Sequence, residues 1–505
     1  IELNDDGSFK INQDYFDYMG GSKMTNNKFA KLFGGEARVP ESEITQREMD
    51  LAKSIQVVTE KVISNMAKYV KSLTGLNYLC LAGGVALNCV ANGKLIKSSL
   101  FKDIWIQPAA GDAGSALGCA LDFYHTYYSG PRNYNKSSLQ GGSYWGPEWS
   151  SQEIEAYLES VDAPYERITI ENRAKLIAQF IDSGNVVGHY YGRTEFGPRA
   201  LGARSIIGDP RSPKMQSKIN LKIKYRESFR PFAPSVLIER CKEYFDLDFP
   251  SPYMLLVAPV VEESRINTDK EKSNDIIDIV NQVRSDIPAI THVDYSARIQ
   301  TVDKVHHEQY YNVISSFEKL TGYGVIVNTS FNVRGEPIVN SPFDAYQCFL
   351  KTEMDILVLG NFLISKKDII KNNKEPNAII RKEIGISYQK KNDHILDNEL
   401  TSIYQNEMAL IKDEIKNLDL HMESGRWMDV NSFYNDKNVF DMSYEDDKKS
   451  LNPKDYTNVI TKRWYSSELK SYYFPIIEKL VRLSKMYKLK EENNPNVSDR
   501  IYEMF

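Results

Sequence analysis

Two stretches of the chain, YLCLAGGVALN (78–88) and IWIQPAAGDAG (104–114), each pass from apolar residues into a glycine turn. The apolar residues predict two short strands, Tyr78–Ala82 and Ile104–Gln107. A segment with helical spacing follows each turn, so strand, glycine turn and helix occur twice in succession. This order is typical of an α/β fold.

Helical and strand patterns continue on both sides of this motif. Upstream, apolar residues recur at three- and four-residue steps behind TQRE (45–48), which predicts a capped helix ending at Thr74-Gly75. Downstream, we expect three helices, Ser151–Ser160, Asn172–Ser183 and Phe343–Met354. We also expect four strands, Val186–Tyr191, Leu255–Val261, Gly324–Val327 and Ile356–Leu359.

Changes in composition predict three domains, at residues 1–130, 131–375 and 376–505. A stretch rich in glycine and proline, residues 128–150, separates the first two. The third segment contains only Gly385 and Gly425 of the chain's 28 glycines, and its charged runs predict a mainly helical appendage. Asn398–Leu418 and Ser466–Lys488 are the helices we expect there.

The composition excludes several classes of protein. With 505 residues, 42% hydrophobic and 26% charged, the chain is neither collagen-like nor wholly disordered. Five scattered cysteines and no C-x-x-C pair favour neither a disulfide framework nor a zinc ribbon, and predict a cytoplasmic location. No apolar run of about 18 residues occurs, so we expect no membrane partner. The first residue is Ile1 and not Met, so we expect the front of the polypeptide to be missing. IELNDDGSFK (1–10) is too polar for a signal peptide.

Charge is concentrated between Gly192 and Arg240. The whole chain carries −5, which argues against a general nucleic-acid partner. This segment holds four acidic and eleven basic residues, the latter being Arg193, Arg199, Arg204, Arg211, Lys214, Lys218, Lys222, Lys224, Arg226, Arg230 and Arg240. Gly-Pro and Arg-Pro turns lie between them, so we expect the side chains to converge on a compact polyanion. A solvated basic surface and a nucleic-acid groove are the alternatives.

Three smaller motifs carry candidate ligands. NTSFN (328–332) follows an apolar strand and offers hydroxyl and amide groups to a nucleotide, although such clusters also form ordinary turns. Gly83-Gly84 precedes a helix whose N-terminus suits an anion, and a plain tight turn is the alternative. Asp112 is either a helix cap or a metal or ribose ligand. His292 is a further candidate, because its segment also carries Arg298. Neither G-x-S-x-G nor H-E-x-x-H occurs, so a hydrolase triad or a zinc protease has no support.

These motifs resemble those of the NodU/CmcH O-carbamoyltransferases, which include the tobramycin and cephamycin carbamoyltransferases. The resemblance covers roughly residues 1–375 and rests on six blocks in the family's order. They are LCLAGGVALNCVANGKL (79–95), IWIQPAAGDAGSALG (104–118), GRTEFGPRALGARSIIGDPR (192–211), KYRESFRPFAPSVL (224–237), THVDYSARIQTV (291–302) and VNTSFNVRGEPIVNSP (327–342). The resemblance implies the C-terminal part of an actin/sugar-kinase-like (Kae1-like) domain, then a YrdC-like α/β domain, with the helical appendage outside the family pattern.

The resemblance also implies a two-step reaction. In the first step, ATP with Mg²⁺ and carbamoyl phosphate give carbamoyl adenylate. In the second, the carbamoyl group passes to an alcohol acceptor, a hydroxyl of a sugar or secondary metabolite, with help from bound iron. The first step brings two polyanions together, so fixed cations should stabilise both the complex and its transition state.

Carried over by motif, the resemblance assigns a role to each candidate residue. The catalytic cations are Lys224, Arg230 and Arg199. The other ligands of carbamoyl phosphate and the nucleotide are Arg298, Ser330, Asn328, Asn332 and Arg193. The resemblance places Gly83, Gly84 and Asn88 against the adenylate in the second site. It makes Asp112 the metal ligand.

One departure from the family pattern limits these expectations. The family's H-x-x-x-H pair of iron ligands does not occur in this sequence. We therefore expect a longer polypeptide or a separate chain to supply the missing lobe, and this chain to reach adenylate formation at most. The alternatives are a threonylcarbamoyl-adenylate or hydrogenase-maturation type of enzyme, and a non-catalytic nucleotide-binding remnant or scaffold.

Overall fold

The computed structural model describes residues 1–20, 23–39, 42, 44–132, 140–226, 230–266 and 276–371. The predicted appendage, with its two helices, lies outside these residues. Among the described helices, none combines the length and apolar composition that crossing a bilayer requires.

The chain begins with two short antiparallel strands, β1 (Glu2–Leu3) and β2 (Phe9–Lys10), and a short helix, α1 (Asn27–Leu32). The long helix α2 (Gln46–Thr74) follows. The Glu48 carboxylate accepts the Thr45 N–H at 2.9 Å, which forms the predicted cap. Gly75 ends the helix at φ 65°, a left-handed conformation in which glycine carries no steric penalty. The helix predicted from the apolar spacing is therefore confirmed.

The twofold strand–turn–helix motif is also confirmed. It consists of β3 (Tyr78–Leu81), α3 (Cys89–Lys97), β4 (Asp103–Ile106) and α4 (Asp112–Asp122), and its two strands pair in parallel. The structure adds two details to the motif. A 3₁₀ turn, Gly84–Leu87, precedes the first helix, which starts after its cap Asn88. The second helix ends in a π-helical turn.

Within the described residues, nine strands form one large mixed sheet. They are β5 (Glu166–Arg167), β6 (Val187–Tyr190), β7 (Arg204–Gly208), β8 (Ala233–Leu237), β9 (Leu256–Pro259), β10 (Ser296–Val302), β11 (Val325–Ser330), β12 (Ile356–Leu359) and β13 (Phe362–Ser365). Their order across the sheet is β5-β13-β12-β6-β7-β11-β8-β10-β9. The pairs β8–β10 and β6–β12 are parallel, and the other pairs are antiparallel.

Helices accompany this sheet along the chain. They are α5 (Ser151–Ser160), α6 (Ile170–Asp182), α7 (Met215–Lys222), α8 (Cys241–Tyr244), α9 (Ile276–Asn281), α10 (Glu308–Thr321), α11 (Pro342–Lys351) and α12 (Lys366–Lys371). Together with the strands, they confirm the α/β class. The predicted domain boundary near residue 130 stays a prediction.

Two apolar cores enclose the sheet because its central strands bury both faces. On one face, Ile207 and Ile326 lie in a core with Phe317 of α10. The neighbouring strand residues, Ile206 and Val327, point into the other core, which includes residues of α7 and α11. Alternation of side chains along a strand produces this division.

Helix α3 lies directly against strand β9. The Asn92 amide nitrogen donates to the Leu255 carbonyl oxygen at 3.1 Å. A Cβ atom on Gly93 would lie 2.2 Å from the Val257 carbonyl oxygen, so only glycine allows this approach. The strand–turn–helix segment is thereby attached to the edge of the large sheet.

Gly93→Ala is expected to destabilise the protein by about 1–3 kcal/mol, because the added methyl group forces α3 away from β9. Urea unfolding of the two proteins measures this difference. The matched control is Gly118→Ala in α4, where a Cβ meets nothing within 4 Å. That substitution should stabilise by about 0.5–1 kcal/mol through helix propensity. Equal effects of the two substitutions would contradict the close contact.

Candidate functional site

The basic segment between Gly192 and Arg240 does not converge as a whole, and that expectation was wrong. The segment contains β7, α7 and β8 as well as turns. Four of its basic residues instead pair with carboxylates elsewhere in the fold. These pairs are Arg211 with Asp182 and Asp209, Lys218 with Asp355, Lys222 with Glu353, and Arg240 with Glu243 and Glu318.

Arg204 also serves the fold. Its guanidinium is fully buried and lies 3.5 Å from the centre of the Tyr190 ring. The guanidinium donates to the carbonyl oxygens of Asn340 and Ala203, at 3.3 and 3.0 Å. It therefore joins β7 to neighbouring backbone, and the cations left for a ligand are fewer than the sequence suggested.

Lys224 is one of these remaining cations. The residue is 3% exposed, and its ammonium lies at the end of β11. The ammonium donates to the Ser330 carbonyl oxygen and, at 3.2 Å, to the Ser330 hydroxyl. It also donates to the Asn332 carbonyl and side-chain oxygens, at 3.0 and 2.7 Å. The structure thus brings together three of the predicted residues, Lys224, Ser330 and Asn332.

The oxygens around the Lys224 ammonium are neutral. Burial, followed by the positive charge of Arg226, lowers the pKa of Lys224 to about 7. Because no carboxylate contributes to this pKa, a positive charge at Lys224 is left uncompensated. An anionic ligand would supply the missing charge and favour the protonated lysine.

Arg199 and Arg298 form a second group of cations. Burial, and after it the like charge of Arg199, lowers the pKa of Arg298 to about 10. The Cys89 side chain, from the first turn of α3, opposes this lowering of the Arg298 pKa. The Arg199 Nε atom is buried and has no hydrogen-bond partner in the described part of the chain. Two guanidinium groups held together without a carboxylate form a site suited to a phosphate.

The strand register places the two groups of cations near each other. Asn328 of β11 is paired with Ala233 of β8. On the other side of β8, Gln300 of β10 is paired with Ser235, so Arg298 is in line with Ala233. Since neighbouring strands are about 4.8 Å apart, the Cα atoms of Arg298 and Asn328 are separated by roughly 10 Å. Arg298 thus lies two strands away from β11, the strand whose end holds the Lys224 ammonium.

Asn328 has a different environment from Ser330. Its side chain is fully buried, and its amide nitrogen donates to Ala200 O, Ser235 Oγ and Gln300 Oε1, at 3.2, 3.0 and 2.9 Å. These bonds tie the loop that carries Arg199 to the sheet. Contact between Asn328 and a ligand therefore stays a prediction.

Two further predicted arginines have backbone contacts. Arg193 is exposed and donates to the Trp145 carbonyl oxygen at 3.2 Å. Arg230 is half-buried, and its own carbonyl oxygen accepts from Gln216 and Asn220 at 3.1 and 2.8 Å. Both remain predicted ligands.

The glycine turn after β3 is open. A Cβ on Gly83 or Gly84 would meet nothing within 4 Å, so a ligand has room to approach this backbone. Asn88 is engaged in the fold, because its Oδ1 caps α3 at Ala91 and its amide group exchanges two hydrogen bonds with Gln56. We therefore expect the glycines, more than Asn88, to be free for an adenylate.

Asp112 lies exposed at the start of α4, where Gly111 is the cap residue. Among the described residues, no three His, Cys, Asp or Glu side chains lie close enough to hold a metal ion. The described residues thus do not fit an iron site, and Asp112 stays a predicted ligand.

His292 lies near Arg298. Burial lowers the pKa of His292 to about 4, with Asp294 opposing this shift and Arg298 adding to it. The imidazole is therefore neutral at pH 7. Its Nδ1 atom lies 3.2 Å from the Ser296 hydroxyl, which itself donates to Asp294 at 2.6 Å.

The sequence did not point to Glu195. The residue is 7% exposed, and one carboxylate oxygen accepts the N–H groups of Leu201, Ala203 and Arg204. In the sequence, Glu195 is only one of four acidic residues in the basic segment between Gly192 and Arg240. Its short spacing to these amides was the available signal, because a carboxylate before a Gly-rich turn often accepts turn N–H groups.

Comparison with known proteins gives matches in both parts of the chain. Residues 1–121 match the family model of the carbamoyltransferase N-terminus, and residues 178–366 match that of the carbamoyltransferase C-terminus. An uncharacterized protein of Synechocystis sp. is 57% identical over 369 residues, which cover 72% of this chain and 60% of that protein.

Two relatives with descriptive names are more distant. Nodulation protein NolNO of Sinorhizobium fredii is 39% identical, with 72% of this chain and 49% of that protein covered. The 3'-hydroxymethylcephem-O-carbamoyltransferase of Streptomyces clavuligerus is 29% identical, with coverages of 60% and 52%. The chain thus spans about half to three fifths of these relatives. A structure of full-length HypF in the phosphate- and nucleotide-bound form gives a TM-score of 0.23 over 40% of this chain and 22% of that one at 14% identity, too low to carry an argument.

The pH dependence of stability tests the state of Lys224. Its folded pKa of about 7 lies below the ordinary value of 10.5, so between these values the unfolded chain binds more protons. The free energy of unfolding of the wild type, relative to Lys224→Met, should therefore rise from pH 7 to pH 10. Urea unfolding at several pH values measures it. Parallel pH profiles would contradict a buried lysine of lowered pKa.

Proposed function

Because this chain belongs to the carbamoyltransferase family, we propose that it forms carbamoyl adenylate from carbamoyl phosphate and ATP. We further propose that the carbamoyl group then passes to a hydroxyl of a sugar or secondary metabolite. The observation that carries the proposal is a set of cations without a carboxylate partner among the described residues, the buried Lys224 and the half-buried Arg199 and Arg298, at which an anion would supply the missing negative charge.

The charges of the reactants explain why such cations are needed. Carbamoyl phosphate and ATP repel each other, so cations have to neutralise that repulsion before the reaction. Water cleaves carbamoyl phosphate to inorganic phosphate and carbamate, and a carbamate oxygen then bonds to the α-phosphorus of ATP. The bond from that phosphorus to pyrophosphate breaks at the same time, so pyrophosphate leaves with its negative charge. Fixed cations at the phosphates stabilise this charge in the transition state without reorganising.

We assign Lys224 to a phosphate group of one reactant. Its four present acceptors, from Ser330 and Asn332, hold the ammonium in place at the end of β11. On binding, a phosphate oxygen competes for these donated hydrogen bonds and raises the share of protonated lysine. Arg199 and Arg298 would hold the other phosphates with their planar guanidinium groups.

The open glycine turn supports a second site for the adenylate. Gly83 and Gly84 precede α3, and α3 contacts β9 of the large sheet. Cys89, at the start of α3, affects the pKa of Arg298, so the helix that follows the glycine turn begins near the cationic site. Such a short route would protect the labile adenylate from water. We propose no step through iron, because the described residues do not fit an iron site.

Other parts of the proposal concern the surroundings of the enzyme. A partner polypeptide, or a further stretch of the same one, would contribute to the transfer step, since the chain spans only part of its relatives. All five cysteines are free thiols, which supports a cytoplasmic location.

Substitution of the cations tests the proposed first step. Arg199→Ala and Lys224→Ala are each expected to abolish carbamoyl-phosphate-dependent exchange of labelled pyrophosphate into ATP, because each removes charge from the reacting phosphates. Circular dichroism checks that the variants fold.

Lys222→Ala is the matched control, since Lys222 is two residues from Lys224 but pairs with Glu353 at 2.6 Å. It should retain wild-type exchange. A loss of no more than about twofold in Arg199→Ala and Lys224→Ala would mean that these cations do not act on the reacting phosphates. The proposed function would be contradicted if the wild-type chain shows no exchange, and still shows none after the upstream part of a longer polypeptide is supplied.

A further inference from the structure

We infer that Glu195 is a positioning residue, whose buried carboxylate holds the loop from Phe196 to Ala203 so that Arg199 stays beside Arg298 before an anion arrives. We call this segment the Arg199 loop. The inference rests on the proposed function only in taking the anion to be the phosphate of a reactant.

The carboxylate of Glu195 fixes the loop through its backbone. One oxygen accepts the N–H groups of Leu201, Ala203 and Arg204, at 2.7, 2.8 and 3.1 Å. Hydrogen bonds to an ionised carboxylate are stronger than those between neutral groups, and burial strengthens them further. The three bonds tie the end of the loop to Glu195, the residue that directly precedes it.

Carbonyl groups of the same loop accept hydrogen bonds from side chains of the large sheet and from Tyr144, which precedes the loop in the chain. The Leu201 carbonyl oxygen accepts from the Tyr144 hydroxyl at 2.8 Å and from the Gln300 amide at 2.7 Å. The Ala200 carbonyl oxygen accepts from Asn328. Because donors and acceptors of the loop are satisfied by buried side chains, the loop has little freedom to move.

His189 adds a further attachment. Its Nδ1–H donates to the Gly202 carbonyl oxygen at 2.6 Å, and its Nε2 accepts from the Arg173 guanidinium at 2.7 Å. These partners fix the tautomer of a neutral imidazole, and burial keeps the pKa of His189 well below its usual value. At Gly202, with φ of 114°, a Cβ atom would lie 2.3 Å from the Tyr310 ring, so the loop also packs tightly there.

A rigid loop is needed because the like charges of Arg199 and Arg298 repel each other and would drive Arg199 away. The like charge of Arg199 lowers the pKa of Arg298. The loop that carries Arg199 also bonds to β10 next to Arg298, because the Leu201 carbonyl oxygen accepts from Gln300, two residues along that strand. A flexible loop would let Arg199 swing into water and would have to be reordered on binding, at a cost in affinity. The hydrogen bonds of Glu195 order the loop during folding, so the loop need not be reordered on binding. Both guanidinium groups are then already in place when the anion binds.

Replacement of Glu195 tests the inference through the sign of its effect on anion affinity. Glu195→Gln keeps the shape and removes a negative charge, which by long-range electrostatics alone would tighten anion binding. Positioning predicts the opposite, a weakening of about three- to tenfold. The probe is pyrophosphate, titrated calorimetrically into the intact chain, and Glu195→Ala should weaken binding more.

Amide hydrogen exchange gives a second measurement that does not depend on activity. In Glu195→Gln, the amides of Leu201, Ala203 and Arg204 should exchange at least about tenfold faster than in the wild type, since their shared acceptor is weaker. The matched control is Asp355→Asn, because Asp355 also accepts a backbone N–H, that of Val186, at 2.8 Å. This variant should lower stability and leave pyrophosphate affinity unchanged.

The outcomes separate this inference from the proposed function. Unchanged or tighter pyrophosphate binding in Glu195→Gln would overturn the positioning role, and so would equal weakening in Asp355→Asn. If the wild type shows no pyrophosphate exchange into ATP but Glu195→Gln weakens pyrophosphate binding, positioning stands and the proposed reaction fails. If the wild type catalyses exchange and Glu195→Gln keeps its KM for carbamoyl phosphate, the reaction stands and positioning fails.

Discussion

A positive charge buried without a carboxylate is the constraint on which the candidate site depends. Removal of an ammonium or guanidinium from water costs several kcal/mol unless other groups replace the lost hydration. At Lys224 four neutral oxygens of Ser330 and Asn332 do so in part. At Arg298 the neighbour is a second guanidinium. The fold therefore holds cations in an unfavourable state that an anion relieves, and the strength of anion binding and the cost in stability have one physical origin.

The large sheet makes that state possible because its central strands are covered on both faces. Apolar residues such as Ile326 and Val327 alternate into the two cores. Toward the carboxyl end of β11, the same strand changes from apolar to polar residues at Asn328 and Ser330. Polar side chains at a buried strand end have to find partners within the protein, and the resulting network fixes the geometry of the site.

The sequence allowed much of the fold and part of the site to be predicted. Local patterns were sufficient for α2 and for the two strand–turn–helix units, since apolar spacing, a capping box and glycine turns act over a few residues. Strands β7 and β10 were missed because Arg204 and Gln300 interrupt their apolar pattern, and only tertiary packing shows that these side chains are buried. The pairing of four of the eleven basic residues with carboxylates likewise depends largely on long-range contacts, such as Lys218 with Asp355.

The contact between Gly93 and the backbone of β9 has a consequence for motion. Shear between packed elements usually proceeds by side chains changing rotamers while the backbones slide. Here the Cα of a glycine faces a carbonyl oxygen, with no side chain between them to adjust. Helix α3 and the edge strand therefore move as one body, and any opening of the glycine turn has to come from the turn itself.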